Sequence, residues 1–145
     1  MKVLIVEDEE LAVKRLRKLL SGIDNKIHVL ADFDTVSDTA NWLMSNESPD
    51  LILMDIQLAD GISFEIFELI NIDIPIIFIT AYDQYALNAF KVNSIDYLLK
   101  PLEKNALVAA IDKFKKRTST FQQQNIEAVM KALTNQYKNR FLIKV

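Results

Sequence analysis

A chain of 145 residues is sized for one ordinary domain plus an appendage, and with half of its residues apolar it can bury a sizeable core. Two Gly, three Pro and no Cys argue against a disordered chain, exclude a disulfide scaffold or thiolate-ligated metal, and fit an intracellular protein. The net charge of −3 divides unevenly: residues 1–118 hold 13 Lys and Arg against 19 Asp and Glu, net −6, whereas 119–145 are net +3. An acidic body disfavours nucleic acid, because neutralising phosphates supplies most non-specific affinity. The four cations of the tail (Lys131, Lys138, Arg140 and Lys144) are too few for a DNA-binding patch. The N-terminus turns acidic after Val6, unlike a signal peptide, and no apolar run approaches the ~20 residues of a membrane span. The expectation is a soluble, cytoplasmic protein with no membrane partner.

Lys2–Val6 reads as a short buried strand. Glu9–Ser21 carries Ala12, Leu16, Leu19 and Leu20 at helical spacing and should end at Gly22 as its cap. Ile27–Phe33 follows as a second strand. Thr35-Val36-Ser37-Asp38 resembles a capping box and opens a helix to about Asn46. After the break at Ser48-Pro49-Asp50 comes the strand Leu51–Asp55, then a loop over Gln57–Ile62 and a short helix, Phe64–Ile70, capped by Ser63. Pro75–Thr80 is the fourth strand. Asp83 should cap a helix to Lys91, Ile95–Leu99 is the fifth strand, and Glu103–Arg117 the fifth helix. Five alternations of strand and helix imply an α/β fold, a doubly wound, five-stranded parallel sheet covered on both faces. The pattern alone does not give the strand order; the flavodoxin-like order 2-1-3-4-5 is the usual one for five such units and is the one expected. Thr118-Ser119-Thr120 and Gln122-Gln123-Gln124 are polar, and Ile126, Met130, Leu133 and Tyr137 mark one face of a further helix, a C-terminal helical extension. The chain stops within Phe141–Val145, a strand without a partner, which implies part of a longer protein.

Chemistry gathers at the strand ends. Glu7-Asp8 follow the first strand, Asp55 ends the third, Thr80 the fourth, and Lys100-Pro101 follow the fifth. In a parallel sheet these ends share one edge, where open α/β folds place their ligands. Singly, each has an ordinary explanation: Glu7-Asp8 as helix caps, Asp55 and Thr80 as strand residues, Lys100 as a surface charge. His28 reads as structural and Trp42 as a helix-to-core anchor. Jointly they point to a site. Three carboxylates cannot crowd together ionised without a counter-charge, so the pattern predicts a divalent metal, with hard oxygens suited to Mg²⁺. A carboxylate is also a nucleophile toward phosphorus, already ionised at neutral pH, so no Ser-His or Cys-His pair is needed. Lys100 would hold a phosphoryl oxygen as a point charge and Thr80 would donate its hydroxyl to another.

Glu7-Asp8, Asp55, Thr80-Ala81 and Lys100-Pro101 together resemble the signature of response regulator receiver domains of two-component signalling, over residues 1–118. The resemblance implies a phosphoacceptor signalling domain rather than an enzyme. Asp55 accepts phosphate from a sensor histidine kinase, and Glu7, Asp8, Asp55 and the backbone carbonyl of Gln57 bind Mg²⁺. The Lys100–Pro101 bond is expected to be cis. Thr80 would move toward the phosphoryl group and Tyr97, matching the switch aromatic, would turn inward behind it, with Ala81 small as that movement requires. Ala59 and Ser63 depart from the Pro and Gly common in the family, and both lie in the loop after Asp55. Gln57 and Tyr82 resemble positions that tune dephosphorylation.

The stretch from Ala81 to Phe90, with Asn93 to Pro101, is similar to receivers joined to a LytTR DNA-binding domain, and Lys138–Val145 resembles the start of that domain's first strand. The implied organisation is a receiver over 1–118, a helical linker over 119–139 and the beginning of the LytTR domain over 140–145, with DNA bound only through that domain. Helix 83–91, strand 95–99 and helix 103–117 form the family's usual dimer face, to which Tyr85, Ala89, Phe90 and Val92 add apolar material. Three rivals fit less well. A haloacid-dehalogenase-type phosphatase needs a second Asp where this chain has Gln57. A flavodoxin needs a phosphate loop where this chain has Glu7-Asp8-Glu9-Glu10. A degenerate receiver acting only as an interaction module would not keep the full set of acids, hydroxyl and amine.

Overall fold

Three runs of apolar residues, Val3–Val6, Leu51–Met54 and Ile76–Phe78, are almost wholly withdrawn from solvent, and they form the centre of the sheet. The structure, a computed structural model, describes residues 1–89 and 92–117, without the side chains of 87 and 88. Its main sheet comprises β1 (Lys2–Val6), β2 (His28–Phe33), β3 (Leu51–Met54), β4 (Ile76–Thr80) and β5 (Ser94–Leu99). All neighbours pair parallel, in the order 2-1-3-4-5. Strands covered on both faces need apolar residues at every position, which is why β1, β3 and β4 read as continuous runs rather than alternations. The outer strand β2 instead alternates exposed and half-buried residues. Each outer strand holds one residue more than its neighbour, at Leu30 in β2 and Ile95 in β5, where the register shifts.

Helix α1 spans Glu10–Ile23, α2 spans Val36–Ser45, α3 spans Ile66–Leu69 and α4 spans Ala86–Ala89; a fifth helix covers 104–117. Residues Met1–Ile111 form one compact unit and Asp112–Val145 a second, described only to 117. Leu4, Val6, Ile52, Met54, Ile76 and Phe78 from the sheet pack with Val36 and Leu43 of α2 and Ile66 of α3. Among the described residues, no helix is long and apolar enough to cross a membrane.

Several local expectations change. Gly22 does not end α1; it lies inside the last turn with helical backbone, and the Asp24 amide caps by donating to the Leu20 carbonyl at 3.1 Å. Thr35 does cap α2, accepting from the Asp38 amide at 3.0 Å. The expected loop 57–62 is a two-residue hairpin, Gln57–Leu58 paired antiparallel with Gly61–Ile62. Ser63 does not cap a helix, because it is itself the first residue of a 3-10 turn, Ser63–Glu65, leading into α3. Its hydroxyl is fully buried and without a partner. Asp83 contributes its backbone carbonyl to the Ala86 amide, so α4 starts three residues later than expected, after a turn. Phe90, Lys91, the 119–139 linker with its Ile126–Tyr137 stripe, and the strand 140–145 lie outside the described residues.

Candidate functional site

Each polar strand end is fixed by a backbone bond to the neighbouring strand. The Glu7 amide donates to the Phe33 carbonyl at 2.9 Å, Asp55 to Val6 at 2.8 Å, and Lys100 to Thr80 at 2.8 Å. The parallel ladder is thereby continued one residue past its apolar run, and the side chains of Glu7, Asp55, Thr80 and Lys100 converge at one edge. The Lys100–Pro101 peptide is cis.

The Lys100 ammonium lies 2.9 Å from Asp55 Oδ2 and is hydrogen-bonded to Glu7 Oε1, with Glu9 Oε1 at 3.5 Å. Asp55 Oδ1 accepts from the Ile56 amide at 2.6 Å. One carboxylate oxygen from each of Glu7, Asp8 and Asp55 falls within 4.8 Å of the others, Glu7 and Asp55 buried and Asp8 exposed. Glu7 Oε2 is buried and unpartnered. Burial and the neighbouring Asp55 push the Glu7 carboxyl up to about 8, against the pull of Lys100. Burial also pushes Asp55 up, but hydrogen bonds to Glu7, Lys100 and Thr80 outweigh it and hold this carboxyl below its ordinary value. Burial thus favours a neutral Glu7, while the hydrogen bonds of Asp55 favour its ionised form. Asp8 is raised by partial burial and by Asp55, despite bonding to its own backbone. Lys100 would be lowered by burial, yet its two carboxylate partners raise it, so it stays charged.

An acid cluster in this state fits a divalent cation. One buried oxygen lacks a partner, burial penalises a charged Glu7 beside Asp55, and all the donors are hard oxygens. The hairpin bears on the fourth expected ligand. Ser63 N donates to Ile56 O at 2.7 Å, so by antiparallel alternation the next pair, Gln57 with Ile62, is the one without ladder bonds. The Gln57 carbonyl therefore points out of the hairpin.

Thr80 is fully buried at the end of β4, and its Oγ1 accepts from the Tyr82 amide at 3.4 Å. The Tyr82 carbonyl in turn accepts from the Tyr97 hydroxyl. The Tyr97 ring packs 6.1 Å from Phe78, centroid to centroid. The backbone of one residue, Tyr82, thus joins Thr80 to Tyr97, while Ala81 is exposed beside it. Gln57 Nε2 reaches the Tyr85 hydroxyl at 3.4 Å. Of the residues expected on a dimer face, Ala89 belongs to the core at 2% exposure, and Tyr85 and Val92 are half-buried against it.

Sequence reasoning missed Glu9 as a further carboxylate of Lys100, Arg15, whose guanidinium donates to the Leu102 carbonyl at 2.6 Å, and Asp60. The dipeptide Asp60-Gly61 was a readable hairpin signal. Gly61 takes φ +156°, and a Cβ there would meet the Glu65 carboxylate at 2.9 Å. A cavity of about 230 Å³ lies beside Asp55 and Lys100, between α1 and residues 100–102.

Comparison with known proteins agrees with this geometry. Residues 3–112 match the response regulator receiver domain family. The chain is 42% identical over 120 residues to the sensory transduction protein LytT of Bacillus anthracis, covering 81% of this chain and 48% of that one. A LytT of Enterococcus faecalis is 40% identical over 119 residues, covering 80% and 48%. The chain spans about half the length of these curated relatives. The crystal structure of the response regulatory domain of mrkE from Klebsiella pneumoniae is similar, with TM-score 0.68 and 31% identity, covering 85% of this chain and 99% of that one.

Proposed function

The chain belongs to the response regulator receiver family, and from that premise we propose that Asp55 accepts a phosphoryl group from a sensor histidine kinase with the help of Mg²⁺. The observation that supports this most directly is the buried Asp55 carboxylate, kept ionised among Glu7, Lys100 and Thr80. An Asp55 oxygen attacks phosphorus, an O–P bond forms, and the bond between phosphorus and the donor breaks as the donor leaves. Lys100 is already within reach of the attacking carboxylate and follows the charge onto a phosphoryl oxygen. Thr80 presents its hydroxyl to another. Glu7, Asp8, Asp55 and the Gln57 carbonyl are the residues we assign to Mg²⁺. When bound, the ion offsets the negative charge that attack on a phosphoryl group brings together.

Phosphorylation adds roughly −1.5 to −2 charges and three acceptor oxygens. The Thr80–Tyr82–Tyr97 connection is our candidate relay, with Thr80 drawn toward the phosphoryl group and Tyr97 following. The relay would promote dimerisation through the face of α4, β5 and the 104–117 helix, using Tyr85, Val92 and Phe90 rather than the buried Ala89. Output would pass through the 119–139 linker to a LytTR domain begun at 140–145, which alone would contact DNA. The resemblance to LytT proteins supports this branch, and a cytoplasmic setting with a kinase partner goes with it.

Incubation with Mg²⁺ and acetyl phosphate, followed by intact mass, tests the assignment. One phosphoryl group is expected on the wild type and none on Asp55→Asn. No gain in the wild type, or a gain that survives Asp55→Asn, overturns it.

A further inference from the structure

The loop after Asp55 lacks the Pro that the family commonly carries at position 59, yet it has a defined path, and Asp60 shows why. Asp60 sits in the two-residue tip of the hairpin, between the paired residues Leu58 and Gly61. Its two carboxylate oxygens accept from the first two amides of α2: Oδ1 from Val36 at 2.6 Å and Oδ2 from Ser37 at 3.1 Å. These are amides that the helix leaves without an internal partner, and Thr35 serves only the third, at Asp38. A backbone bond from the Ala59 amide to the Asp34 carbonyl, 3.1 Å, lies beside them. Although its slight desolvation raises it, the Val36 and Ser37 amides hold the Asp60 carboxyl below its ordinary value.

The hairpin is therefore fixed at both ends. Its base is closed by Ser63 N to Ile56 O, next to the phosphoacceptor, and its tip is fastened to α2. Gln57 lies between, on the pair without ladder bonds, so its carbonyl has no partner across the hairpin and is carried by the bonded pairs on either side. Where the tip is held therefore bears on where that carbonyl sits. We propose that Asp60 is a positioning residue for the metal site: by capping α2 from the hairpin tip, it places the Gln57 carbonyl for Mg²⁺. The inference rests on the Mg²⁺ assignment above and concerns a residue that touches neither the ion nor the phosphoryl group.

A purely structural cap would lower stability without altering metal affinity, and this separates the two roles. Calorimetric Mg²⁺ titrations and melting temperatures are measured on the full chain as wild type, Asp60→Ala, Asp60→Asn and Thr35→Ala. Asp60→Ala should weaken Mg²⁺ binding about ten-fold, in line with other residues that orient a ligand. Asp60→Asn keeps an acceptor oxygen and should recover most of that affinity. Thr35→Ala removes the other cap of the same helix while leaving the hairpin tied, so it should lower the melting temperature and leave the affinity at the wild-type value. Wild-type affinity in Asp60→Ala, or an equal loss in Thr35→Ala, overturns the proposal. If Asp60→Ala does not fold, Asp60→Ser takes its place, and an unchanged affinity there overturns it equally. A wild type that binds no Mg²⁺ defeats the metal assignment itself, an outcome distinct from wild-type binding that Asp60 does not influence.

Discussion

Two loops leave the sheet edge on either side of Asp55, and they are held in different ways. The loop after β3 is closed at 2.7 Å by Ser63 and Ile56, and is clipped to α2 at 2.6 and 3.1 Å by Asp60. The segment after β4 has one short side-chain bond, from the Tyr97 hydroxyl to the Tyr82 carbonyl, and otherwise longer contacts: Tyr82 N to Thr80 Oγ1 at 3.4 Å, Gln57 Nε2 to Tyr85 at 3.4 Å and Ala86 N to Asp83 O at 3.3 Å. Bonds at that length are weak. The acid side is thus built on short bonds around buried strand ends, and the hydroxyl-aromatic side on one short side-chain bond and several contacts that exchange at small cost. Chemistry needs the first arrangement, because a nucleophile and its cation must stay in register. A relay needs the second, since the elements that move in a switch are drawn from the less stable parts of a fold.

The largest expected effect compares one residue from each side. Met54 is fully buried directly before Asp55, and Met54→Ala should cost about 2–5 kcal/mol in urea unfolding. Tyr82→Ala keeps the backbone groups that join Thr80 to Tyr97 and loses an exposed ring packed edge-on against Tyr85, for less than about 1 kcal/mol. Comparable losses would erase the contrast.

An intermediate effect comes from pH. Glu7 has its carboxyl raised from 4.5 to about 8, so between those values the folded chain holds a proton that the unfolded chain has released. Stability of the metal-free protein should therefore be greatest below 4.5, as far as this group is concerned, and fall as pH rises to about 8. Asp55, shifted the other way, contributes a loss only at the acid end. Saturating Mg²⁺ or Glu7→Gln should flatten the slope in urea midpoints; a slope unchanged by Glu7→Gln would remove the proton from this pair.

The smallest effect belongs to the relay. Tyr97→Phe deletes one hydrogen bond to the Tyr82 carbonyl, worth about 1 kcal/mol, and should leave Mg²⁺ affinity and phosphoryl uptake as they were. Sizing with a phosphoryl mimic should show the change instead, in the extent of dimer formed. A loss of phosphoryl uptake would mean that the two sides are not separable.

Glu7, Asp8, Asp55, Thr80 and Lys100 were legible because a parallel sheet places every strand end on one edge, and polar residues there interrupt otherwise continuous apolar runs. The strand order was not legible in the residue pattern; it was expected as the usual arrangement of five such units, and the sheet adopts it. What escaped reading depended on contacts between distant segments. Asp60 caps a helix that begins 24 residues earlier, and no local pattern reports such a partner. Ser63 looked like a helix cap by its type, but it lies inside the 3-10 turn that precedes α3, and its hydroxyl is buried without a partner. Gly22 looked like a terminator, yet glycine is merely tolerated in a helix and stops it only where a left-handed residue is required.

The extra residues at Leu30 and Ile95 sit in the two strands that close the main sheet at its sides. A strand with an irregular register presents its free amides and carbonyls at uneven spacing, a poor template for another strand to zip onto. Growth of this sheet from chain to chain is thereby discouraged at both margins. Association through helical side chains, as proposed above, would leave both of those margins unused.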